Sequence, residues 1–493
     1  MSTFAAETAN PPDPRRWLSL AILLIANFMN LIDVTIVNVA LPSMRDNLGA
    51  TDSQIEWVVA AYVLAFALGL LPFGRLGDIV GRTRMFLLGV AGFTAASALC
   101  GLAPNIEMLI AARVLQGIGG AMMTPQVLAI ATVTFPPQER GQAFSLFGLS
   151  AGLASVCGPL LGGILIDAQL FGLDWQPIFL VNIPIGLAAI VAGWLLIPRL
   201  PGHRELSNDY LGIVLFGLGI LALVFPIIEG RALDWPLWSF VMMASGVVLL
   251  VLFYFWQRQR AASNRPQLLN YGLLRNRDYM FGAFVVTIYA SGIPGMFMVI
   301  SLLLQAGFGF TPLQSGLTNL PFSIGVLIAS FIARWFGSTY LRSRLAAAGA
   351  LLALGIGALH FIVSGTGDSI DPWSFLVPLL VAGVGLGTGF SSLFQLVLRN
   401  VPPRDAGAGS GALQAFQQVG GALGVALVGQ IFFSQLSGNF GAGLGPRPAF
   451  ADAAALALWY QVVSFLLVLA LAFVFKPSSG RERGGPAPMP VEA

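Results

Sequence analysis

The sequence predicts an all-α integral membrane protein with fourteen spanning helices. Fourteen apolar runs have the roughly 20-residue length that crosses a bilayer. Of the 493 residues, 56% are hydrophobic and 10% charged, far below the ~25% charge of a soluble domain. The basic residues fall almost entirely on one side of the predicted topology.

The runs cover 17–41, 55–74, 84–103, 108–133, 141–166, 177–197, 210–228, 236–256, 279–304, 314–336, 343–364, 373–398, 407–432 and 455–475. They are about twice as long as barrel strands and lack alternation, which leaves helices as the spanning element. The polar start "MSTFAAETANPPDPRRW" and the long run after it predict a first span rather than a cleaved leader. With the N-terminus in the cytoplasm, Arg45, Arg231 and Arg447 face outward and Arg113 lies within a span. Every other Lys and Arg is cytoplasmic, and a miscounted helix would destroy that asymmetry. The expected location is the cytoplasmic (inner) membrane, with both termini cytoplasmic.

Two segments repeat. "FPPQERGQAF" (135–144) and "VPPRDAGAGS" (401–410) stand 266 residues apart, and the same offset carries Gly117, Gly119, Gly158 and Gly163 onto Gly383, Gly385, Gly424 and Gly429. The expected organisation is a cytoplasmic segment (1–16), a six-helix bundle (17–197), a linker region with inserted helices 7 and 8 (198–278), a second six-helix bundle (279–475) and a disordered tail (476–493). Paired six-helix repeats with a midplane site between them are a transporter architecture.

Composition also excludes classes. Cys100 and Cys157 lie in apolar runs and suggest neither disulfide nor metal. His203 and His360 are isolated, and there is no HExxH and no phosphate-binding loop. An enzyme, a metalloprotein, a nucleic-acid binder and an ATP-driven pump are not expected. No cofactor is called for beyond a proton gradient, and a monomer suffices.

Two charges stand inside the bilayer. Asp33, in "LIDVTIVNVALP" (31–42), lies about 24 Å along helix 1 from Trp17, and Arg113 about 9 Å from the opposite end of helix 4 at 1.5 Å per residue. Both therefore fall at similar depth in the outer half. An intramembrane charge costs about 2.5–3.5 kcal/mol on insertion scales and marks a functional site by default. Desolvation and a nearby cation pull a carboxyl pKa in opposite directions, so Asp33 is the expected protonation site, with Arg113 setting its pKa. Leu379 occupies the repeat position of Arg113, so this charge belongs to one half only. Glu56, at the outer start of helix 2, is a second candidate acid, with a solvated role equally open. Asp167, Asp174, Glu229 and Asp234 read as solvated loop acids.

The loop 2–3 stretch "GRLGDIVGRTR" (74–84) combines turn-forming glycines with a charge cluster. Gly74, Asp78, Gly81, Arg82 and Arg84 are expected to form a conformational latch, with Asp78 facing a helix N-terminus or one of the two arginines. In helix 5, Gly152, Gly158, Pro159, Gly162 and Gly163 leave one face nearly bare, and such faces allow close backbone approach in lipid. Packing of this face on the opposite half would close a cavity at one end. Asn30, Gln126, Asn182, Gln305, Asn319, Gln414 and Gln417 are candidates for lining the substrate cavity, with Trp57, Tyr62, Phe322, Phe394 and Phe416 as possible aromatic walls.

Taken together, these motifs resemble the major facilitator superfamily, specifically its fourteen-helix drug:proton antiporters. "LIDVTIVNVALP" resembles that branch's helix-1 signature, "GRLGDIVGRTR" the loop 2–3 motif, and "LIAARVLQGIGGAMMTP" (109–125) the helix-4 motif. "GLSAGLASVCGPLLGGIL" (148–165) is similar to the helix-5 motif of antiporters. "WQPIFLVNIPIG" (175–186) and "DYLG" (209–212) fit the helix-6 and helix-7 patterns. Ile79 departs from the basic residue usual at its place, which removes one latch contact. The resemblance implies the major facilitator fold and proton-coupled export of lipophilic, often cationic, small molecules by alternating access. A proton symporter, an exporter of one metabolite, and a membrane receptor or channel without coupled transport remain alternatives.

Overall fold

The structure is a computed structural model describing residues 14–202, 208–336, 340–367, 369–399, 401 and 406–475. The segment before residue 14, most of the second Pro-Pro loop and the tail from 476 lie outside the described residues, as do His203 and Arg204. Among the described residues there is no strand.

Among the described residues, thirteen helices are long and apolar enough to cross a membrane. They are helix 1 (Arg16–Leu48), helix 2 (Asp52–Val80), helix 3 (Arg82–Gly101), helix 4 (Ile106–Thr134), helix 6 (Pro177–Leu196) and helix 7 (Tyr210–Ala232). Helix 8 (Leu237–Ala262), helix 9 (Arg277–Gly307), helix 10 (Pro312–Phe336) and helix 11 (Leu341–Ser364) follow. Helix 12 (Pro372–Leu398), helix 13 (Ala406–Gly441) and helix 14 (Pro446–Ala472) complete them. Helix 5 (Pro137–Asp167) runs unbroken between helices 4 and 6 and makes the fourteenth.

Local chemistry sets the boundaries. Helix 1 outruns its expected limit at residue 41 and stops at Gly49, whose left-handed backbone (φ 60°) turns its N–H back to Arg45 O. Helix 2 opens with a reciprocal capping box between Thr51 and Gln54. Gly81 divides helices 2 and 3 at φ 109°, a conformation open to glycine alone. The span expected over 279–304 is not one regular helix. It breaks at Gly292–Ile293, resumes at Pro294, and ends in a π turn over Leu303–Gly307. Pro294 lacks the N–H that would have continued the ladder.

Helices 1–6 pack among themselves and helices 9–14 among themselves; the two sets meet along helices 5 and 10, 2 and 13, and 1 and 9. The glycine repeat reappears as repeated packing. Gly117 abuts helix 2 at Tyr62 O and Gly383 abuts helix 10 at Phe322 O. Gly119 abuts helix 3 at Phe93, and Gly385 abuts helix 11 at Leu352. Gly158 meets helix 1 at Thr35, and Gly424 meets helix 9 at Ser291. Gly163 and Gly429 cross to the other set, onto Leu313 of helix 10 and Glu56 of helix 2. Helices 7 and 8 form a hairpin, with helix 7 laid over helices 2 and 13. Helix 8 turns most of its surface outward.

Candidate functional site: a buried charge cluster above a one-ended cavity

Helix 1 carries Asp33 on the face that also buries Ala26, Met29, Asn30 and Val37, so its carboxylate points into the first helix set. It is fully buried. Arg113, from helix 4, donates through Nη1 to Asp33 Oδ2 at 2.5 Å. The other oxygen, Oδ1, accepts from Gln116 Nε2 at 2.7 Å and from Asn182 Nδ2 of helix 6 at 3.5 Å. Gln116 Oε1 in turn accepts from Arg113 Nη1 at 2.7 Å, and Ser97 Oγ of helix 3 accepts from both Gln116 and Asn182.

The guanidinium has further support. Its Nε donates to Val58 O at 3.0 Å, and its Cζ sits 4.2 Å from the centre of the Tyr62 ring. A desolvated cation over an aromatic face gains about 2 kcal/mol. Tyr62 is fixed by donating to Asn30 Oδ1 at 2.6 Å. Five helices thus converge on one acid. The arrangement can exchange a single charge: when the carboxyl is neutral, Arg113 keeps Val58 O, Gln116 Oε1 and the Tyr62 ring.

Below this cluster, at the end that carries the 2–3 turn and most of the arginines, a cavity of about 670 Å³ opens. Its walls include Gly74, Arg75, Asp78 and Arg82 on one side and Gln414 of helix 13 on the other. The linker Asn264–Asn270 crosses its margin. The far end is shut. Gly316 approaches Pro159 O, and a Cβ on Gly163 would stand 2.5 Å from Leu313 Cα. Gln305 Nε2 donates to Val39 O at 2.8 Å, and Thr311 donates to Asp167 Oδ2 at 3.0 Å.

The predicted residues distribute unevenly over these features. Asp33 and Arg113, placed at similar depth by the sequence, are in direct contact. Glu56 is not interfacial: it is 0% exposed, closed against Gly429 where helices 2 and 13 meet. Distance from the helix end put it in the interface, whereas helix 13 packs against helix 2 at this depth and covers it with Gly429. In the 2–3 turn Arg82 Nε donates to Asp78 Oδ1 at 3.0 Å and its Nη1 to Ala129 O at 3.3 Å, while Arg84 is exposed and takes no part. Gly74 faces Pro125 of helix 4 across a gap that a Cβ would fill at ordinary contact distance. Gly158 and Gly162 pack on helix 1 of their own set, and Pro159 and Gly163 reach across. Gly152 lies within helix 5.

Of the polar candidates, Gln126 and Gln414 border the cavity. Gln126 is itself buried, packed over Gly77 and donating to Phe73 O. Asn30 and Asn182 belong to the charge cluster, and Asn319 is buried, donating to Ser315 O. Gln305 bridges the two sets, and Gln417 is half-buried on helix 13. Glu229 accepts from Trp57 Nε1 at 2.7 Å, so neither residue is simply solvated or cavity-lining. Sequence reading missed Gln116 and Ser97. The signal for Gln116 was its place one turn after Arg113, which puts both on one face of helix 4.

The Major Facilitator Superfamily profile matches residues 23–212 and 204–425. The chain belongs to the major facilitator superfamily. This member is 40% identical over 427 residues to a probable actinorhodin transporter of Streptomyces coelicolor, covering 86% of this chain and 74% of that one. It is 35% identical over 430 residues to a puromycin resistance protein of Streptomyces alboniger, covering 85% and 82% respectively. Its fold matches a crystal structure of an auto-inhibited POT family peptide transporter with TM-score 0.68 at 16% identity, over 95% of this chain and 99% of that one. As a superfamily member it is a multi-pass membrane transporter and not an enzyme, among relatives that confer resistance to or carry antibiotics.

Proposed function

We propose that the protein is a proton-coupled antiporter that exports lipophilic small molecules from the cytoplasm across the cell membrane by alternating access. The one-sided arginines support a cytoplasmic position for the cavity-bearing end. The names of the relatives, a probable actinorhodin transporter and a puromycin resistance protein, point to antibiotic-like compounds, hydrophobic or cationic. Protons are the counter-substrate, and one chain is the working unit, with helices 1–6 and 9–14 as its two rocking bodies.

The observation that carries this reading is the fully buried Asp33–Arg113 pair with its Gln116 bridge. A buried ion pair is a poor way to gain stability, whereas a buried acid with an alternative partner for its cation is a charge switch. Each pKa unit of change at such an acid is worth 1.36 kcal/mol, and the membrane supplies about 2.3 kcal/mol per charge per 100 mV. One titrating group therefore suffices to link proton influx to substrate efflux. Glu56 is the second acid in this scheme, reached by water when the far end opens. Gln305, closing onto Val39, and Gln414, on the cavity wall, are the polar groups that meet substrate at the two ends.

Proteoliposomes loaded with a fluorescent lipophilic cation and a pH indicator test the proposal. Opposed movement of dye and protons, abolished by Asp33→Asn, is expected; substrate accumulation driven by protons moving in the same direction would overturn it.

A further inference from the structure

The pattern "DYLG" holds an acid that the transport reading does not use. Asp209, just before helix 7, is 3% exposed although it carries a charge at a membrane edge. Its Oδ1 accepts from Gly212 N at 3.0 Å and from Trp256 Nε1 at 2.8 Å, and its Oδ2 from Gln257 Nε2 at 2.7 Å. Gly212 leaves the room for this carboxylate, since a Cβ there would stand within 2.6 Å of its carboxyl carbon. The Arg260 guanidinium lies 3.7 Å away with its Cζ 5.7 Å from the Trp256 ring centre. The start of helix 7 is thereby locked to the last two turns of helix 8.

Arg260 does not end at this acid. Its Nε also donates to Pro266 O at 2.7 Å, and its carbonyl accepts from Arg265 N at 2.9 Å. Pro266 belongs to the linker that forms the margin of the 670 Å³ cavity, facing Asp78 and Arg82 of the latch and Gln414 of helix 13. Beyond the cavity the linker is pinned by Leu269 and Leu273, each 4% exposed. A continuous chain of contacts therefore runs from Asp209 through Arg260 to the strap that borders the opening.

We propose that Asp209 and Arg260 are positioning residues that hold the linker Asn264–Asn270 as a strap across the mouth of the transport cavity. On this account the inserted helices 7 and 8 are the mount for a gate on substrate access, and more than a filler against lipid. The fourteen-helix plan gains from its extra hairpin a fixed anchor beside the opening, set on helices 2 and 13 where the two bodies meet.

The test reads the accessibility of the cavity wall. Leu128, 39% exposed and lining the cavity, is replaced by cysteine in a Cys100→Ala, Cys157→Ala chain, and labelling by a polar maleimide is timed on purified full-length protein. Asp209→Asn and Arg260→Gln are each expected to speed labelling about fivefold, the factor that the loss of one hydrogen bond of ordinary net strength gives. The double variant should go no further than Arg260→Gln, because both act through one strap. A control cysteine at Gly438, at the far end with open space around it, should label unchanged. Arg260→Lys, which keeps the charge but loses the fork, should fall between wild type and Arg260→Gln and covers the case in which the other variants do not fold. In transport, the apparent KM for a dye should shift while the maximal rate and pH profile hold. Unchanged labelling at position 128, equal acceleration at 438, or additive effects in the double variant would each overturn the proposal. The labelling needs no gradient, so its failure is distinct from failure of proton coupling.

Discussion

Gln116 touches both members of the buried pair at once: its Nε2 donates to Asp33 at 2.7 Å while its Oε1 accepts from Arg113 at 2.7 Å. Asp33, Arg113 and Gln116 form a closed triangle in which each side chain satisfies the other two. The cation is therefore held by more than the acid, so the acid can change its charge without stranding a bare guanidinium.

Asp33→Asn keeps the side-chain shape and leaves Arg113 its contacts to Val58 O, Gln116 and Tyr62. The variant is expected to accumulate as folded protein with no proton-driven transport. Dye efflux from energised cells, beside thermal melting of the purified variant, checks both halves of that statement.

Arg113→Gln should behave differently, leaving an acid buried without its cation. Removing one partner of a buried pair costs about 3–5 kcal/mol. Combining it with Asp33→Asn should return most of that loss while transport stays absent. A double variant no more stable than Arg113→Gln, by melting or denaturant titration, would contradict the charge-pair account.

Gln116→Leu tests the bridge. It strips Asp33 Oδ1 of its 2.7 Å donor and leaves Asn182 at 3.5 Å. Leaving a buried polar group short of a partner costs about 1–3 kcal/mol, and coupling should shift in its pH dependence. The pH profile of dye exchange reads this directly, and an unaltered profile would remove Gln116 from the mechanism.

Gly163→Val should jam the far end open. The new side chain has no room against Leu313 and Pro312 O, so helices 5 and 10 cannot meet. A cysteine at Gln305 should then label faster from the far side, with transport lost; slower labelling would mean that the seal is elsewhere.

The pair Arg16–Glu139 ties the arginine-rich ends of helices 1 and 5 through two parallel bonds of 2.8 and 2.9 Å. The hydrogen bonds from Arg16, more than its charge, hold the Glu139 carboxyl below the usual glutamate range. A lowered folded pKa means stabilisation that is present above the ordinary value, about 4.3, and is lost as pH falls through the lowered one. Glu139→Gln should thus lower the melting temperature slightly at pH 7 and not at all in strong acid.

The fold was legible because bilayer length and basic asymmetry are coarse signals that every helix repeats. The far end of helix 9 was not, because a π turn leaves no mark on hydropathy. Asp33 and Arg113 stood out as charges in apolar runs, and depth along their helices was enough to pair them. Gln116, neutral and set between Leu115 and Gly117, carried no such mark; only its helical phase relative to Arg113 gave it away. Glu56 misled because its neighbour in space, Gly429, is a residue without a side chain on a helix of the other repeat, far along the chain. Asp209 was visible as part of a pattern, but its donors lie 47 and 48 residues further on, beyond any local reading.

Gly163 and Gly429 stand at matching places in the two repeats yet meet different surfaces, the backbone of Leu313 and Pro312 in one seam and the Glu56 carboxyl group in the other. Parting the first contact hydrates peptide groups of fixed polarity, while parting the second hydrates an ionisable side chain. If the two helix sets part as proposed, these two glycine contacts open onto unlike surfaces, and external acidity acts directly at the second contact and not at the first.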